Sequence, residues 1–222
     1  MTTIEQDPES TVIFHGDTPI RLEGFGDADV RVCRGDITKS AVDAIVCPAN
    51  TFLVMRGGAS AAIREAGNRA DQIEKDAVAL SPIRIGDAVL TRGYSLPAAY
   101  VIHAPTVEMP VDRATVDSVE LAMRASLRAI NRHSLRSVAF PSLGTGTGGI
   151  TYGEAAGVML RELRRDLLSG KSTVARVQLV AFEEGFMQAL QVAATGTSSP
   201  GVTIVPPPLG NRQQCLGWAD LP

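Results

Sequence analysis

Apolar positions along the chain follow two rhythms that take turns. Short apolar or alternating runs, TVIFH (11–15), VRVC (30–33), Ala44 to Ala49, DAVLTRG (87–93), YVIHAP (100–105), SVAFPSL (137–143) and VARVQLVAF (174–182), read as strands. Between them the spacing changes to threes and fours. Val116, Val119, Met123, Leu127 and Ile130 predict one face of a long helix within 112–133, and Ala156, Leu160, Leu163 and Leu167 predict another within 153–168. SAAIREAG (60–67), NRADQIEKDAVAL (68–80) and EGFMQALQVA (184–193) are helical in composition, and GDITK after the 30–33 strand reads as a turn and a short helix. Strands alternating with helices imply a mainly parallel sheet covered on both faces, a three-layer α/β/α domain.

The two ends break this rhythm. Residues 1–10 form a polar lead-in, the domain is expected over 11–193, and 194–222 is rich in Gly, Ser and Pro. The PPP triplet fits neither a helix nor a central strand, so 194–222 reads as a tail, with Val202 to Val205 and Trp218 able to dock. No internal repeat is visible. No segment approaches the roughly 18 consecutive apolar residues of a membrane span, and a cytoplasmic location is expected.

Charge narrows the ligand. A formal net charge of −3 with no Lys/Arg run argues against nucleic acid, although backbone amides at a helix start bind phosphate without any net positive charge. Cys33, Cys47 and Cys215 are widely spaced and odd in number, which predicts buried free thiols. His15, His103 and His133 lie in different elements with no metal-ligand spacing, so no metal is expected and His103 reads as a core histidine with a satisfied ring. No cofactor is expected.

The densest chemical signal is LGTGTGG, with four glycines among residues 144–149, at the end of one strand and the start of a helix. Ligands of parallel α/β sheets bind at such strand ends, and glycines let consecutive N–H groups converge on phosphate oxygens. A plain glycine-rich turn is the bland alternative. Gly149 is followed by Ile150 and Thr151 where a P-loop needs Lys then Ser/Thr, which excludes that loop. Gly144, Gly146 and Gly149 satisfy GxGxxG but lie late in the chain without the acidic ribose residue of a dinucleotide fold, and Phe140 breaks a GxSxG elbow at Ser142. A Rossmann-like oxidoreductase remains a distant alternative.

A second cluster spans 35–67. Asp36 follows a strand, where its carboxylate can cap free amides or accept from a ligand amino group. Asn50 closes the next strand as a turn residue or a partner for sugar hydroxyls, and Gly57 and Gly58 open a helix beginning near Ser60. Arg56 and Arg64 read as solvated surface residues.

GDIT, PAN, GGASAAIREAG, VIHAPT and FPSLGTGTGGI, in this order, resemble a macrodomain, the ADP-ribose-binding module, over roughly residues 11–193. The resemblance implies a mixed central sheet in the α/β/α domain and a ligand cleft at the strand ends. It implies that Asp36 accepts from the adenine amino group with the Ile37 amide beside it, and that Phe182 lies against adenine. Asn50 would contact the distal ribose, Gly57, Gly58 and Ala59 would run along that ribose and the diphosphate, and Gly144, Thr145, Gly146, Thr147, Gly148 and Gly149 would cradle the diphosphate. The implied partner is ADP-ribose or ADP-ribosylated protein, with neither nucleic acid nor membrane. If the chain is a hydrolase of ADP-ribosyl esters or O-acetyl-ADP-ribose, Asn50 and Ser60 are its candidate catalytic residues. Ser60 stands where family hydrolases commonly carry an acid, and Gly148 where an aromatic often shields the distal ribose.

Overall fold

The computed structural model describes residues 19–67, 71–195 and 203–205. The apolar run 11–15, Cys215 and Trp218 lie outside them. The described strands are β1 (Ile20–Glu23), β2 (Asp29–Arg34), β3 (Ala44–Asn50), β4 (Val89–Arg92), β5 (Tyr100–Val107), β6 (Ser137–Phe140), β7 (Arg176–Ala181) and β8 (Thr203–Val205). They form one sheet in the order β4-β5-β3-β6-β7-β2-β1-β8. The inner five, β5-β3-β6-β7-β2, are mutually parallel, while β4 on one side and β1 and β8 on the other add antiparallel edges. The sheet is therefore mixed, and the expectation of parallel pairing holds for its centre. Two strands were not legible: IRLE of β1 has only two apolar residues, and β8 comes from the segment read as a tail.

Period-two burial assigns the faces. Val30, Val32, Ala44, Val46, Val138, Phe140, Val177 and Leu179 pack with apolar residues of α3 (Val116–Arg132), α4 (Tyr152–Leu167) and α5 (Glu184–Thr195). Their neighbours Ile45, Cys47, Ala139 and Val180 point the other way, onto Ile63 of α1 (Gly58–Ala66) and Ile73 of α2 (Gln72–Val78). Helices thus cover both faces. The long helices start where their caps dictate. Thr115 and Ser118 form a reciprocal capping box on α3, and Thr151 and Glu154 do so on α4, each satisfying amides that the first turn leaves open. Glu162 of α4 is buried yet fully paired, with Arg124, Arg161 and Arg165 around its carboxylate.

The cysteines differ from expectation. Cys47 is a buried free thiol, pushed up to about 12 by desolvation. Cys33 is disulfide-bonded, so the chain does not carry three free thiols. An unexposed thiol that stays protonated is a poor nucleophile. Cys47 should remain unalkylated by iodoacetamide near pH 8 in the folded protein and become modified once the chain is denatured, as read by mass spectrometry. His103 is fully buried in β5 with its Nε2 2.9 Å from Thr91 Oγ1, but Nδ1 has no partner among the described residues, so the ring is only half satisfied.

Candidate functional site

Strand order decides which loops meet. The parallel strands end on one edge of the sheet, so their carboxyl ends present, in sequence across it, Asp36 after β2, Phe182 after β7, residues 141–149 after β6, Asn50 to Gly58 after β3, and Glu108 after β5. Four inter-strand steps of about 4.8 Å make this row about 19 Å long. The two glycine loops, nearly 90 positions apart in sequence, follow the hydrogen-bonded neighbours β3 and β6 and so share this edge.

At one end, Gly35 N donates to Ala181 O at 3.0 Å, which draws the β2 turn against the end of β7. Phe182, the next residue, is 76% exposed. Asp36 caps a 3-10 turn (Ile37–Lys39), its Oδ1 accepting from Thr38 N at 2.9 Å. Among the described residues no bond to Oδ2 or from the Ile37 amide is present. Both readings of Asp36 thus coexist: one oxygen caps, the other is open.

In the middle, the loop after β6 is shaped by two internal bonds, Gly149 N to Gly146 O at 3.1 Å and Ile150 N to Gly144 O at 3.2 Å. Gly144 and Gly149 both sit at φ +74, the left-handed region that favours glycine. Among the described residues, the amides of Gly144, Thr145, Gly146, Thr147 and Gly148 have no protein acceptor. A Cβ at Gly146 would meet nothing within 4 Å, so the loop's outer side is open. Thr145 Oγ1 donates to Ser142 Oγ at 2.8 Å, which ties the start of the loop and gives Ser142 a structural role.

The second loop has the same property by a different route. Gly57 is the N-cap of α1 and offers no side chain to it, so the first amides of the helix keep the donor capacity that a cap would absorb. Gly57 and Gly58 also face open space, and Gly58 sits at φ +51. Ser60 Oγ donates to Gly57 O at 2.7 Å and the residue is buried, so its hydroxyl holds the loop, with no carboxylate against it among the described residues. Asn50 is also occupied. Its Nδ2 donates to Val54 O at 2.8 Å and its Oδ1 accepts from Phe52 N at 3.1 Å, closing the turn that carries the chain from β3 towards Gly57. The turn reading of Asn50 describes its contacts, and the residue is 6% exposed.

Arg64 departs from expectation. Rather than being solvated, it is three-quarters buried among Glu65, Asp71 and Glu74. Arg113, which no motif flagged, lies against the β6 loop, its Nη1 3.0 Å from where Gly149 would carry a Cβ. The contact spans loops 36 residues apart in sequence, and nothing in the local pattern points to it. No group of His, Cys, Asp and Glu suited to a metal ion is present among the described residues, and no described helix is long and apolar enough to cross a membrane.

Fold and loops together define an α/β/α domain with unpaired backbone amides along the ends of its parallel strands. The Macro domain family model matches residues 46–159, and the chain belongs to that family. An uncharacterized protein of Aeropyrum pernix is 42% identical over 132 residues, covering 60% of this chain and 69% of that one. The ADP-ribose glycohydrolase MACROD1 of Mus musculus is 37% identical over 157 residues, and the match spans 70% of this chain and 48% of the mouse protein. In three dimensions the chain resembles the Trypanosoma brucei macrodomain in complex with ADP-ribose, with a TM-score of 0.66, 26% identity, and coverage of 83% of this chain and 71% of that one.

Proposed function

We propose that this macrodomain binds ADP-ribose, free or attached to protein, along the row from Asp36 to Asn50. The observation that carries the reading is the pair of glycine loops on neighbouring strand ends whose amides lack internal acceptors. Such donors favour an anion with many oxygens, and a diphosphate joining two ribosyl groups has that chemistry. The three strand steps from Asp36 to Asn50, about 14 Å, suit a ligand laid across the strands with a base at one end. Exposed Phe182 offers a ring for the base and the open oxygen of Asp36 an acceptor for its amino group. Relatives whose names specify ADP-ribose support the same ligand.

Asp36→Asn tests the base end, since its retained oxygen can still cap Thr38 N while the new NH2 faces the ligand amino group. Calorimetry should show ADP-ribose affinity lower by about 1.5–3 kcal/mol, the usual worth of a hydrogen bond to a charged group. An unchanged affinity would remove Asp36 from the site.

Within this reading the chain acts as a binder and lacks efficient general-base hydrolysis. Ser60 is hydrogen-bonded to its own loop, and a neutral hydroxyl does not take a proton from water near pH 7 unaided. Incubation with an ADP-ribosylated protein should leave the label in place over hours. Release of ADP-ribose would instead establish the hydrolase reading, which the similarity to MACROD1 favours.

A further inference from the structure

The loop between β5 and α3 packs on the 144–149 loop at Gly144, Gly148 and Gly149, away from the open side at Gly146. Ala114 N donates to Gly148 O at 2.9 Å. The Ala114 methyl lies 2.8 Å from the point where Gly148 would carry a Cβ and 3.1 Å from that of Gly144. This docking fixes the residue before it. Arg113 places Nη1 3.0 Å and Cζ 3.8 Å from the Cβ position of Gly149, so the missing side chain of that glycine is what admits the guanidinium.

The guanidinium has no carboxylate within 4.0 Å among the described residues, unlike Arg34 with Glu184 or Arg64 with Glu74. Asp112 and Glu108 share with it a cavity of about 380 Å³ without pairing to it, and the Asp112 carboxylate accepts from Met109 N at 2.8 Å. A permanently charged fork with no ion pair among the described residues therefore lies against Gly149, at the end of the loop whose 144–148 amides lack acceptors, in a chain whose net charge of −3 repels anions. We propose that Arg113 is a recognition residue for the phosphate-bearing part of the ligand, adding full charge to the partial charges of the 144–148 amides. This rests on the ADP-ribose reading and extends it: Arg113 discriminates the diphosphate from an uncharged nucleoside and makes binding salt-dependent.

The test is calorimetric titration of the full chain and of Arg113→Gln and Arg113→Lys with ADP-ribose and with adenosine, each at low and at high salt. Glutamine keeps a planar cover over Gly149 without the charge. At low salt Arg113→Gln should bind ADP-ribose about tenfold more weakly, a gap that closes at high salt, while adenosine affinity stays at the wild-type value. Arg113→Lys should stay within about threefold of wild type. Wild-type affinity in Arg113→Gln, an equal loss of adenosine binding, or a lysine variant as weak as glutamine would overturn the assignment. A wild-type chain that binds adenosine but shows no preference for ADP-ribose would overturn it together with the reading beneath it.

Discussion

Replacing Gly144 by alanine should both destabilise the fold and remove ADP-ribose binding, whereas Gly146→Ala should remove binding alone. Gly144 sits at φ +74, where an L side chain is strained by roughly 1–2 kcal/mol. Its Cβ would lie 2.6 Å from Val119 Cγ2, inside the buried contact between the loop and α3, and overpacking of that kind adds roughly 1–3 kcal/mol. The sum, roughly 2–5 kcal/mol, is a large fraction of the stability of a domain this size, and urea denaturation should show it as a lower midpoint. The same residue accepts from Ile150 N, so a shift there opens the bend that aligns the amides. Gly146 has ordinary φ and open space at its Cβ, so its alanine variant should unfold within about 0.5 kcal/mol of wild type. The methyl then projects into the open space where the ligand would lie. If Gly146→Ala binds ADP-ribose normally, the ligand does not approach this loop closely.

The second large effect is a loss of stability in mild acid, traced to His103. Burial lowers the pKa of this histidine from 6.5 to about 4 in the folded chain. The unfolded chain therefore takes up a proton through pH 6.5 that the folded chain refuses until about pH 4, and linkage makes stability fall as pH falls across that window. Two and a half pKa units correspond to about 3 kcal/mol. The neutral ring is held by Thr91, and the unpaired Nδ1 has no acceptor that would favour a second proton. Denaturation curves at pH 7 and pH 4.5 should differ by most of this amount. Carboxylates begin to titrate at the lower end of this window, so the comparison is with His103→Gln, whose curve should be flatter by the histidine contribution. An equal pH dependence in the two proteins would place the acid sensitivity elsewhere.

The chain's periodicities made the inner sheet and its helices legible because each element buries one face. Alternation in VRVC and VARVQLVAF and the three-four spacing from Val116 to Ile130 correspond to β2, β7 and α3, with ends shifted by a few residues. Strands outside the parallel centre carry a weaker signal. β1 pairs on both sides yet shows only Ile20 and Leu22 as apolar, and β8 is too short for any period to register. Residues whose role is local were also legible as types: Asp36 caps, Asn50 closes a turn, and the glycines occupy bends. What the sequence could not show were distant partners. The carboxylates around Arg64, the Ser137 hydroxyl accepting from Asp43 N, the loop contact of Arg113 and the disulfide of Cys33 depend on tertiary approach, and no spacing rule encodes them.

Everything functional here depends on whether the unpaired amides of two loops, separated along the chain but adjacent on the sheet edge, take up one diphosphate. Amide NMR spectra recorded during titration with ADP-ribose measure that directly. Saturable binding is expected, with the largest shifts at residues 57–60 and 144–148, accompanied by Asp36 and Phe182. Absence of binding at millimolar ligand, or shifts confined to residues away from both loops, would contradict it.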